Sequence, residues 1–147
     1  MISKRNWVFH YVTNNAPCSI CGKEEKAFPK FICDAHTHGM YQYSHEEFQV
    51  VIDCGPQEVG RLLNAMGDKV KSGEKFKDGD LIKGLYLDCD VRLQEMPDTN
   101  GKPLLRLIIP DKQNRWPENA DYPYNLQSFA TPLLYAMKDY NGEEASS

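Results

Sequence analysis

The chain has 147 residues and 16.8 kDa, with 41% hydrophobic and 26% charged residues, proportions that suit one globular domain. They exclude collagen-like, coiled-coil and wholly disordered chains, and the length excludes a (β/α)₈ barrel, which needs at least about 200 residues. A net charge of −4 gives no general attraction to nucleic acid or to anionic membranes.

In chain order, the opening MISKRNWVFHYV is basic but lacks the continuous apolar core of a signal peptide. No stretch has the length and apolarity of a membrane span, so a cytoplasmic protein without membrane contact is expected. Residues 1–31 carry a net charge of +3 and the rest −7. This segment reads as a solvated basic surface in preference to an arm docked on an acidic body.

Five cysteines, two of them in a C-x-x-C pair, suit metal binding better than disulfides in a reducing compartment. Cys18, Cys21, Cys33 and His36 follow the spacing C-x₂-C-x₁₁-C-x₂-H. Zinc takes four such ligands in a tetrahedron, and Gly22 lets the chain turn tightly after the first pair. A closed structural zinc site within residues 16–38 is therefore expected, with His38 competing with His36 for the fourth place. Two other readings stay open: Cys33 as a buried strand residue, and Cys18 with Cys21 as a redox pair. Cys54 and Cys89 lack His or Cys neighbours and read as packing residues.

Asp34, His36 and His38 form D-x-H-x-H, which resembles the first-strand metal motif of barrel hydrolases of the amidohydrolase type. The likeness covers six residues of a chain too short for that barrel, and is not carried further. A facial metal site from His38, His45 and a carboxylate on another fold remains open.

Phe48, Val50 and Ile52 alternate as a strand. Pro56 and Glu58 then start a helix on which Val59, Leu62, Leu63, Met66 and Val70 recur at helical spacing, with Ser72-Gly73 as its stop. Gly60 and Gly67 on that helix suggest close packing on a sheet. Strands are predicted over Leu81–Leu87, Val91–Met96 and Leu104–Ile109, the last two joined by a hairpin at Asn100-Gly101.

Residues 112–125 read as an ordered loop, and Thr131-Pro132 as the start of a short helix through Tyr140. Arg106, alone in an apolar strand, is expected to pair with an acid such as Asp111 or to face solvent. Arg115, Trp116, Tyr122, Tyr124, Asn125 and Gln127 could make a recognition surface, though a loop satisfying its own backbone is the preferred reading. The expected fold class is α+β: a mainly antiparallel sheet packed on one long helix, as a single domain over 1–140 with a disordered tail over 141–147.

HTHGM, H-x-x-F-Q-V-V-I, LLNAMGDKVKSGEKFKDGD, GLYLDCDVRL and LRLIIPDKQNRWPE together resemble a bacterial family of unknown function, family number 4262, from about Cys18 to Gln127. The resemblance implies a compact α+β domain and carries no activity, cofactor or catalytic residue with it.

The leading expectation is a small binding or interaction module with a structural zinc, taking a protein or a small polar ligand as partner. The alternative is a small enzyme or ligand-binding protein, a metal-dependent hydrolase among others, using a pocket of His38, His45, Asp111 and Arg115. A third reading, stacking of a nucleic-acid strand on Trp7, Phe9 and Tyr11, is disfavoured by the overall acidity. No phosphate-binding glycine loop, dinucleotide fingerprint or nucleophile elbow occurs.

Overall fold

Period-two apolar runs separated by glycine- and proline-rich turns assemble into one six-stranded sheet, seen in a computed structural model that describes residues 6–13 and 29–136. The strands are β1 (Val8–Thr13), β2 (Ile32–His38), β3 (Phe48–Ile52), β4 (Leu81–Ile82), β5 (Val91–Pro97) and β6 (Pro103–Ile108). Their spatial order is β1-β2-β3-β6-β5-β4. The α+β class is as expected. The sheet, however, is mixed and not the mainly antiparallel one the turn signals suggested, because β3 and β6 lie parallel at its centre. Hairpin signals report only neighbours in sequence, whereas this pairing joins strands separated by a helix and two other strands. Both central strands are nearly continuous apolar runs, as strands covered on both faces must be.

Pro56–Lys71 forms α1, the long helix read from the sequence. Its stop is built by Ser72-Gly73. The Gly73 amide bonds the Val70 carbonyl and the Glu74 amide the Lys69 carbonyl, with Gly73 at φ 110°. Leu62, Leu63 and Met66 are fully enclosed against the sheet, each contributing about 1.5–3 kcal/mol. Among the described residues α1 is the one helix longer than seven residues; α2 is seen over Thr131–Ala136. No described helix is long and apolar enough to cross a membrane.

The two helix glycines have a packing role. A Cβ on Gly67 would lie 2.4 Å from the Trp7 ring, and one on Gly60 2.8 Å from Phe9. Trp7 is anchored there by its indole N–H, which donates to Asn64 at 3.0 Å. Trp7 and Phe9 thus fasten β1 under α1, with β1 paired along β2; Lys4, Arg5, Lys23 and Lys26, which carry most of the charge expected to form a solvated basic surface, lie outside the described residues. Gly67→Ala is expected to destabilise by about 1–2 kcal/mol, since overpacking of about 1–3 kcal/mol outweighs the gain of about 1 kcal/mol in helix propensity. Urea denaturation monitored by tryptophan fluorescence checks this, and a stabilised variant would contradict the packing.

One predicted strand is much shorter than expected. Of the span Leu81–Leu87 only Leu81 and Ile82 pair with β5, because Gly84 at φ 91° turns the chain away and leaves Leu87 fully exposed. The Asn100-Gly101 turn is as read: the Asp98 carboxylate accepts the Asn100 and Lys102 amides, each at 2.8 Å, and so closes the β5–β6 hairpin.

Candidate metal centre

In an antiparallel pair, residues directly opposite share a face, and so do residues two apart on one strand. His10 lies opposite His36, and His38 is two residues along β2, so all three imidazoles are carried on the face of the sheet away from α1. Their ring centroids are 5.6 Å (His10–His36), 4.4 Å (His10–His38) and 4.9 Å (His36–His38) apart. One nitrogen from each ring lies within 4.8 Å of the others. That spacing permits three imidazoles to share an ion. His10 and His38 are exposed and His36 is half-buried, so an ion there would be reached from solvent.

The same cross-strand row continues inward as Gln49 on β3 and Arg106 on β6. His36 Nδ1 lies 2.9 Å from Asp34 Oδ1, which also accepts from Gln49 Nε2 at 2.9 Å. The Gln49 Oε1 in turn accepts from Arg106 Nε at 2.8 Å. Arg106 is wholly buried and donates onward to the Gln127 and Phe129 carbonyls and the Thr131 hydroxyl. It therefore neither pairs with Asp111 nor faces solvent. With Asp34 accepting the Nδ1 proton, His36 presents Nε2 to the surface, the arrangement in which a carboxylate orients a metal-binding imidazole.

Electrostatics follow the geometry. Burial raises the Asp34 carboxyl, but hydrogen bonds from His36 and Gln49 and the charges of His36 and Arg106 outweigh it, leaving the group below the usual carboxylate range. The Asp34 hydrogen bond raises His36 against the opposing effect of burial. Burial, then the charges of His36 and His10, lowers His38, which favours the neutral imidazole that ligates. Burial brings the Arg106 guanidinium down to about 10, still protonated at neutral pH.

Beside His36 and His38 opens a cleft of about 310 Å³ that reaches Tyr41, Glu47 and the β5–β6 turn. Glu47 braces its rim, accepting the Thr37 hydroxyl at 2.8 Å and the Met40 and Gly39 amides.

The residues expected to form sites are distributed differently. Cys18 and Cys21 lie outside the described residues. Cys33 is fully buried within the hydrophobic core, its Sγ 3.6 Å from the Val50 carbonyl, and burial drives its thiol far above the usual range. His36 is on the opposite face of β2, so the structure does not bring Cys33 and His36 together. Nor does it gather His38, His45, Asp111 and Arg115. His45 packs on Phe48 and Phe76, and both its nitrogens are taken by backbone groups, Phe76 N–H at 3.0 Å and the Glu46 carbonyl at 2.8 Å. Asp111 follows the far end of β6, roughly 20 Å along the sheet from His38. There it accepts the Gln113 and Arg115 amides and pairs with Arg115 Nε at 2.8 Å, closing its own loop. Cys54 is exposed and Cys89 half-buried, so neither is a core residue.

His10 is the site residue that sequence reasoning missed. Its signal is the alternation of Trp7, Phe9 and Tyr11, which puts His10 on the other face of a strand. No protein-family model matches this chain, and comparison with curated proteins and with solved structures likewise finds no match.

Proposed function

We propose that this is a metal-binding protein in which His10, His36 and His38 hold one divalent transition-metal ion, most suitably zinc, at an open site. The reading is carried by one observation: three imidazoles converge on one sheet face, and one of them is oriented by a buried, hydrogen-bonded carboxylate. Imidazole suits zinc, copper, iron and nickel, and zinc with three protein ligands keeps a fourth position for water or a small molecule. The chain would then bind small molecules at an ion, a different role from the closed structural zinc expected from Cys18, Cys21, Cys33 and His36. Water on such an ion reaches a pKa near about 7, so metal-dependent hydrolysis is the chemistry this site would support.

Equilibrium dialysis of the full chain against zinc tests the reading. About one tightly bound zinc per chain is expected, and the Cys18→Ser/Cys21→Ser double variant should retain it. Loss of zinc in that variant, or no zinc in the parent protein, would overturn the proposal.

A further inference from the structure

The cleft beside the imidazoles is unequal in the hydrogen-bonding capacity it has left. Each of its three carboxylates is already committed: Asp34 to His36 and Gln49, Glu47 to Thr37, Gly39 and Met40, Asp98 to the Asn100 and Lys102 amides. Its donors are not. Among the described residues, the Lys102 ammonium, the Asn100 side-chain amide and the Thr99 hydroxyl make no hydrogen bond or ion pair, and all three residues line the cavity with His36 and His38. The Asp98-centred turn holds these donors beside the imidazoles.

We infer that this cleft binds a small oxyanion, a carboxylate or a phosphate. One of its oxygens fills the open position of an ion on His10, His36 and His38, and another meets Lys102. The inference rests on the metal-site reading above. All three residues are exposed, so water serves these donors in the free protein, and a ligand rich in acceptors can take its place. Charge makes the binding conditional. Three carboxylates against one ammonium repel an anion, whereas a divalent ion brings the charge of the lining to neutrality and removes that repulsion. At about 310 Å³ the cavity lies at the lower end of small-ligand pockets, roughly 300–1,000 Å³, and suits a ligand of few heavy atoms.

The test uses the full chain with cobalt(II) as the probe ion, whose visible bands report its coordination. Titration with succinate or with inorganic phosphate should shift those bands saturably, while the neutral succinamide should not. Which anion acts distinguishes a carboxylate ligand from a phosphate one, and metal-free protein should bind neither by calorimetry. The exposed substitution Lys102→Gln should weaken anion binding about tenfold with cobalt affinity unchanged. Bands unmoved by both anions, or equal anion affinity in Lys102→Gln, would overturn the inference while leaving the metal site standing. Absence of cobalt bands altogether would overturn both.

Discussion

Arg106→Met is expected to lower the free energy of unfolding by about 3–5 kcal/mol, measured by urea denaturation of the full chain. The guanidinium is fully buried and serves Gln49 Oε1, the Gln127 and Phe129 carbonyls and the Thr131 hydroxyl at once. Methionine fills similar volume but leaves these acceptors in the interior without donors, each costing about 1–3 kcal/mol. Relief from burying the Arg106 charge offsets part of that sum, which keeps the expectation at the lower end. A fold stable by about 5–15 kcal/mol would lose much of its margin. Because three of the four acceptors belong to residues 127–131, amide exchange there should accelerate more than in α1. A loss below about 1 kcal/mol would mean that the network is not structurally required.

The elements legible in the sequence are those whose determinants are local. Helix α1 carries its own start at Pro56, its stop at Gly73 and an apolar stripe between them. The β5–β6 hairpin carries Asp98, Asn100 and Gly101 within one turn. What escaped depends on partners distant in sequence. The parallel pairing of β3 with β6 and the buried setting of Arg106 both require knowledge of which strands adjoin. The end of β4 was decided by one glycine: Gly84 interrupts an otherwise strand-like run and breaks it. The site shows the same division. D-x-H-x-H places Asp34, His36 and His38 on one face once β2 is recognised as a strand, whereas His10 joins them only through the β1–β2 register. The cysteine reading relied on proximity along the chain. Along β2, however, Cys33 lies opposite Thr13 and within the core while His36 lies opposite His10 on the open face, however well C-x₂-H suits a turn.

Zinc affinity offers the second large effect. His38→Ala should weaken binding by more than 100-fold, since two imidazoles on an exposed strand surface leave the ion mostly hydrated. Asp34→Asn should weaken it by about 10–100-fold without removing a ligand. The asparagine still fills the space between His36 and Gln49, but it loses the charge that favours a proton on His36 Nδ1 and that makes Nε2 a stronger ligand. Isothermal titration of each variant with zinc gives the order: parent tightest, Asp34→Asn intermediate, His38→Ala weakest. His45→Ala separates this geometry from the competing one. That imidazole is spent on the Phe76 amide and the Glu46 carbonyl, so its loss should disturb the Phe48–Phe76 packing and leave zinc affinity untouched. A His45→Ala protein that folds but has lost its zinc would place the ion on the α1 side of the sheet, and the His10, His36, His38 centre would have to be abandoned.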